Sequence, residues 1–140
     1  MFVEAVEMYP GALEEKEKVI DSDDPDTLIS VNNLAVSLGK QGKHEEAEEL
    51  HRRALKGREK ALGANNPFTL TSVNNLALNL RRQGKLEEAE GYYRRALEGS
   101  EIALGPTHPD TLVTVNNFVS FLSEQGKHEE AWQLKVKHDV

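Results

Sequence analysis

The chain contains no cysteine, which excludes a disulfide framework and a thiolate zinc site. Only 6% of its 140 residues are aromatic. Large rings therefore cannot make up its core, and many small aliphatic side chains must. No apolar run approaches the ~20 residues that a membrane-spanning helix requires. The first ten residues, MFVEAVEMYP, carry Glu4 and Glu7 inside their apolar stretch and lack a basic flank, so they do not read as a signal peptide. Cations are outnumbered, 17 Lys and Arg against 24 Asp and Glu, for a formal net charge of −7. An acidic surface argues against nucleic acid and anionic membrane as main partners. A cytoplasmic protein is the expectation. No nucleophile elbow or phosphate loop is present, so neither an enzyme nor a cofactor is expected.

What the chain does have is repetition. Pro25, Pro67 and Pro109 stand 42 residues apart, as do the pairs Asn32-Asn33, Asn74-Asn75 and Asn116-Asn117, the glycines Gly42, Gly84 and Gly126, and the alanines Ala47, Ala89 and Ala131. A fixed period of this size signals stacked supersecondary units. In the middle unit Val73, Leu76, Ala77 and Leu80 fall at i, i+3, i+4 and i+7, one face of an α-helix. Asn66 is a suitable N-cap, Pro67 suits the first helical position, and Arg81 and Arg82 favour the C-terminal end of the dipole. Gly84 breaks the helix. A second helix follows, with Glu87 and Glu88 in its first turn. Its apolar face is Leu86, Ala89, Tyr93, Ala96, Leu97 and, further on, Ala103 and Leu104; Gly105 and Pro106 close it. The unit is a helical hairpin, and Ala77, Ala89 and Ala96 let its helices approach closely.

The run Val73, Leu76, Ala77, Leu80, Gly84, Leu86, Ala89, Tyr93 and Ala96 resembles the tetratricopeptide repeat. The usual period of that motif is ~34, and the 42 here lengthens the second helix and its loop. This longer form is similar to the repeats of kinesin light chains and to the repeat tails of NACHT- or NB-ARC-type signalling ATPases, including fungal ones. The resemblance implies an all-α, right-handed helical-hairpin solenoid of about seven helices.

In chain order, residues 1–24 align with a second helix lacking its first, and Pro10 implies a kink or a late helix start there. Units of 25–66 and 67–108 follow, with Asp24 capping the first helix of the former. Residues 109–140 form a truncated third unit with helices near 110–125 and 128–138. The expectation is a single repeat domain cut from a longer array, the alternative being a small natural protein with decayed end repeats, with sticky end faces near Val3, Met8 and Trp132 and end-to-end self-association.

Two constellations invite chemistry. His44, Glu48 and His51 share one helical face and offer ligand types that suit zinc. Their counterparts Leu86, Glu90 and Tyr93 mark packing positions, however, so no metal site is expected. The paired glutamates Glu45-Glu46, Glu87-Glu88 and Glu129-Glu130 diverge by ~100° on a helix and act as first-turn acids. The asparagine pairs carry more. In the middle unit Thr71, Asn74, Asn75, Leu78, Arg81 and Arg82 lie opposite the core face. Their counterparts are Ile29, Asn32, Asn33, Val36, Gly39 and Lys40, then Val113, Asn116, Asn117, Ser120, Ser123 and Glu124. Amides both donate and accept hydrogen bonds, so a ladder of them can pair with a peptide backbone. The resemblance implies that this face lines the concave surface, with the second asparagine of each pair holding peptide. Alternatively, the amides tie neighbouring first helices together. The candidate peptide-binding residues are Asn32, Asn33, Val36, Lys40, Asn74, Asn75, Leu78, Arg81, Arg82, Asn116, Asn117 and Ser120. Lys40, Arg81 and Arg82 form a basic rim that Glu124 reverses, which suits a protein or peptide partner with an apolar anchor and an acidic neighbour. The rival role is a structural spacer or self-association segment of a longer repeat array, with no peptide ligand of its own.

Overall fold

A computed structural model describes residues 24–140. Over them the chain folds as three antiparallel hairpins: α1 (Pro25–Lys40) with α2 (His44–Leu62), α3 (Pro67–Arg82) with α4 (Leu86–Leu104), and α5 (Pro109–Glu124) with α6 (His128–His138). Each helix packs on its chain neighbours, so the hairpins stack into a helical solenoid. These six helices are all the regular structure among the described residues. The expected leading helix, the Pro10 kink and the end face near Val3 and Met8 lie outside the described residues.

Three different side chains start the three first helices. The carboxylate of Asp24 accepts from the backbone N–H of Asp26 and Thr27 (2.9 and 3.3 Å). The Asn66 amide oxygen accepts from Phe68 N–H (2.9 Å), and His108 Nδ1 accepts from Asp110 N–H (3.1 Å). Each satisfies a donor that the first turn leaves unpaired, and proline follows each cap. The first helices also end alike. Gly42, Gly84 and Gly126 take φ of +82°, +80° and +77°. The next residue's N–H then reaches back to Leu38, Leu80 or Leu122 at 2.9 Å, the Schellman closure that needs a residue free to adopt positive φ. The tight turn that results is why the second helix lies against the first.

Between the helices the core is thin. Ala35, Ala47, Ala54, Ala77, Ala89 and Ala96 are wholly buried, alongside Val31, Val73, Leu76 and Leu80. The rings concentrate at one junction, where Tyr93 stacks on Phe118 (centroids 6.0 Å, 11°) and tilts against Phe121 (5.1 Å). The apolar face expected for the second helix is too wide. Leu86 is 37% exposed, Ala103 is exposed and Leu104 is half-buried. Leu86 opens α4 at the hairpin's rim, and its counterparts His44 and His128 are half-buried and exposed, so that position is not a packing site.

Adjacent hairpins are also clasped by ion pairs that follow the period. Arg52 pairs with Glu48 and Glu88 (both 2.8 Å) while Lys85 reaches Glu48 (2.9 Å). One unit on, Arg94 pairs with Glu90 (3.0 Å) and Glu130 (2.6 Å), and Lys127 reaches Glu90 (2.6 Å). Solvated pairs of this kind contribute at most about 1 kcal/mol each, so their main effect is to set the register of one hairpin on the next.

Candidate functional site

The twelve candidate residues lie on α1, α3 and α5, but they do not form one uniform ladder. Asn33, Asn116, Asn117 and Ser120 are exposed, whereas Asn32, Asn74 and Asn75 are half-buried between first helices. Asn75 Nδ2 donates to Asn32 Oδ1 across the α1–α3 gap (3.1 Å). Asn74 Nδ2 donates to the Thr114 hydroxyl on α5 (3.4 Å), and its buried Oδ1 has no partner. The middle pair therefore ties neighbouring first helices together, while one asparagine on α1 and two on α5 present free amide faces to solvent.

The basic rim is altered in a similar way. Arg81 Nε donates to Glu124 (2.9 Å) and Nη2 to Ser120 Oγ (3.3 Å), with a further ion pair between Arg81 Nη2 and Glu124. The sign reversal at Glu124 thus neutralises Arg81 instead of opposing it at a distance. Lys40 and Arg82 stand at the same rim.

Five of the candidates converge. Val36 and Lys40 from α1 and Asn75, Leu78 and Arg82 from α3 line one cleft of about 240 Å³, with His51 and Asn79 at its floor. Val36 and Leu78 are its exposed apolar walls (38% and 36%). His51 is 6% exposed. Burial, reinforced by the Arg82 charge, pushes its imidazole down to about 4. It is therefore neutral at pH 7 and adds no cation to the cleft. The site combines an apolar slot, an amide edge and two cationic tips, and it lacks a nucleophile–base pair.

The zinc-like constellation resolves into other roles. His51 is a buried packing residue, and Glu48 is committed to Lys85 (2.9 Å), Arg52 (2.8 Å) and Gln83 (2.9 Å). Partial burial of Glu48 opposes ionisation, but these three bonds outweigh it and hold its carboxyl down at about 2. Among the described residues no group of three His, Asp or Glu side chains is placed to hold a metal.

Sequence reasoning passed over the polar floor beneath the cleft. Asn79 is 4% exposed; its Nδ2 donates to His44 O (3.0 Å) and its Oδ1 accepts from Gln83 Nε2 (2.7 Å). This network holds α3 to the start of α2. Gln83 left a signal, because Gln41 and Gln125 repeat it at the 42-residue spacing. Asn79 left none, since its counterparts are Ser37 and Phe121.

Comparison with known proteins agrees with this architecture. The family model for the tetratricopeptide repeat matches residues 1–60, 29–102 and 68–134. None of the curated proteins compared with the chain matches it. Among solved structures, a Podosopora anserina protein provisionally described as a kinesin light chain with nearly identical TPR-like repeats superposes with a TM-score of 0.86 at 25% identity, over 98% of this chain and 65% of that one. A single-residue variant of that protein gives 0.88 at 25% identity, over 99% and 65%. BtubC (BKLC) from P. vanneervenii gives 0.87 at 21% identity, over 99% of this chain and 55% of that one, and shows the fold alone. The chain thus spans somewhat less than two thirds of the length of these structures.

Proposed function

Because the chain belongs to the tetratricopeptide-repeat family, whose repeats are protein–protein interaction modules, we propose that it binds a peptide segment of a partner protein on the concave face made by α1, α3 and α5. The observation that carries this reading is the cleft in which Val36, Lys40, Asn75, Leu78 and Arg82 meet. An apolar side chain of the partner seats between Val36 and Leu78, and an acidic neighbour faces Lys40 and Arg82. The exposed amides of Asn33 and Asn117 pair with the partner's backbone further along the face. Amide pairing is indifferent to side-chain identity, so it supplies affinity while the cleft supplies selectivity. The protein acts as an interaction segment of a larger adaptor or receptor, without enzymatic activity of its own.

The test pairs melting with binding to a peptide selected from a displayed library. Asn33→Ala and Asn117→Ala each remove a solvent-facing amide, so stability should hold within about 0.5 kcal/mol. Affinity should fall a few-fold to tenfold, about 0.5–1.5 kcal/mol for one hydrogen bond. Arg82→Glu should act mainly through association rate and its salt dependence. Unchanged affinity in all three variants would sink the reading.

A second reading, structural stacking, has its own observation. Trp132 and Val136 stand 42 residues beyond Glu90 and Arg94, the residues that clasp the following hairpin, and are 64% and 58% exposed. An apolar ledge in place of an ionic one favours end-to-end self-association. Sedimentation at increasing protein concentration tests it, and a monomer throughout would remove it.

A further inference from the structure

A cleft of about 210 Å³ opens between the N-terminal halves of α3 and α5. Thr71, Asn74, Asp110 and Thr114 supply most of its polar lining, and Leu104 and Val113 add apolar surface. Its hydroxyl protons are already committed. Thr71 Oγ1 donates to Pro67 O (3.0 Å) and Thr114 Oγ1 to Asp110 O (3.2 Å). Thr114 Oγ1 is then an acceptor for Asn74 Nδ2 (3.4 Å), which fixes the orientation of that amide and leaves its Oδ1 buried without a partner. The Asp110 side chain is exposed, and no cation of the described residues pairs with its carboxylate. These four side chains thus present acceptors to a ligand: one carboxylate, one amide oxygen and the threonine oxygens.

The preceding unit does not repeat this chemistry. Asn32 Oδ1, the counterpart of Asn74 Oδ1, accepts from Asn75 Nδ2 (3.1 Å). Arg58 and Phe68 stand where Ser100 and Asp110 stand, and with Ile29 and Leu62 they line an apolar cup of about 240 Å³. The Arg58 guanidinium bonds Phe68 O (3.1 Å) and Ser72 Oγ (2.9 Å) and lies 5.9 Å from the Phe68 ring centre. The cup therefore has a cation of its own where the α3–α5 cleft has an anion. A buried acceptor without a donor is costly and ordinarily finds one. At Asn74 the donor has to come from outside the described residues.

We propose that the α3–α5 cleft binds a lysine side chain of the partner segment. An ammonium carries three donors and no acceptor, which is the complement of this lining. It pairs with the Asp110 carboxylate and supplies the donor that Asn74 Oδ1 lacks, while its methylene stem lies along Leu104 and Val113. Acceptors on separate side chains suit a compact ammonium better than the paired donors of a guanidinium. The Val36–Leu78 cleft has the opposite preference, because Lys40 and Arg82 at the far ends of α1 and α3 favour an acid. Two clefts of opposite sign on one face fix the direction in which the partner lies. The proposal rests on the reading of this protein as a binder of partner segments, and adds a second selective contact and a polarity.

The experiment is a heteronuclear NMR titration of the whole chain with Nα-acetyl-lysine N-methylamide and, as the uncharged match, Nα-acetyl-norleucine N-methylamide. The lysine probe should shift the Asn74 side-chain amide, Asp110 and Thr114 signals and bind roughly tenfold tighter, the order expected for hydrogen bonds to a charged group. Asp110→Asn should level the two probes. Val113→Lys, at an exposed position, places a lysine of the chain's own over the cleft and should abolish binding while the fold is kept. Equal affinity for the two probes, a preference that survives Asp110→Asn, or shifts located away from the cleft would each overturn the proposal. The displayed library gives a second arm. Selected peptides should carry a lysine on one fixed side of their acidic residue, and selection against Asp110→Asn should lose it. Peptides that bind the Val36–Leu78 cleft and show no such lysine would overturn this proposal and leave the proposed function standing.

Discussion

Acidification should destabilise the first hairpin through one side chain, His51. The imidazole lies 6% exposed beside Asn75, Leu78 and Asn79, and its Nδ1 has no partner. Burial first, and the Arg82 charge second, lower it from the ordinary 6.5 to about 4. Between those values the unfolded chain holds a proton on His51 that the folded chain does not. Stability contributed by the neutral imidazole is therefore complete above pH 6.5 and is lost as pH falls towards 4. One proton sets a limiting slope of about 1.4 kcal/mol per pH unit, so a drop from pH 7 to 4.5 should cost on the order of 2–3 kcal/mol. That is a large part of a typical folding free energy of ~5–15 kcal/mol. Glu48 titrates in a separate window, since its stabilising ionisation is lost only as pH falls from 4.5 towards about 2. The assay is urea unfolding at pH 7, 6 and 5, for the natural chain and for His51→Phe. The ring of Tyr93, one period on, shows that an aromatic fits this register. The variant should show a flatter profile by nearly the whole His51 contribution. Identical profiles would refute the argument and leave His51 either protonated in the fold or exposed more than its burial implies.

Ala77→Trp should destabilise the domain by at least about 1–3 kcal/mol through overpacking at a wholly buried helix contact; an unchanged melting temperature would remove Ala77 from that contact. Asn79→Ala should cost about 0.5–1.5 kcal/mol by removing its bond to His44 O and one of the partners of the Gln83 amide, a loss readable in denaturant unfolding. Asn75→Ala should lower stability by about 0.5–1.5 kcal/mol through the Asn32 bond, in contrast with the neutral Asn33→Ala. Trp132→Glu combined with Val136→Arg restores the ionic ledge of the preceding units, and should suppress concentration-dependent association in sedimentation.

The hairpins were legible because their causes are local. A capping side chain before a proline, apolar residues at helical spacing and a glycine in the turn each act within a few residues, and the 42-residue repeat supplies three readings of each. Helix bounds and the buried alanines follow from these alone. The face that carries the asparagines was legible for the same reason, since it is the complement of the core face on one helix. Which asparagines remain free was not. Asn75 meets Asn32, Asn74 meets Thr114 and Arg81 meets Glu124 only because adjacent first helices stack at one offset. A repeat period marks equivalent positions without giving the distance between neighbouring ones.

The cups and clasps belong to that second class. Arg58 reads in the sequence as one more cation on a charged second helix, and Phe68 as a substitution in a capping phrase. Only the packing of α2 against α3 puts the guanidinium under the ring and away from any described carboxylate. His51 reads as a half-polar residue at a packing position, and its burial beside Arg82 is what makes it titrate far from an ordinary histidine. Periodicity determined the helices, their order and the faces they bury, because backbone hydrogen bonding and apolar spacing are properties of short segments. Charge pairing, burial of single polar groups and the chemistry of each cleft depend on residues on different helices, from 10 to 43 positions apart, and those meet only when the helices have packed.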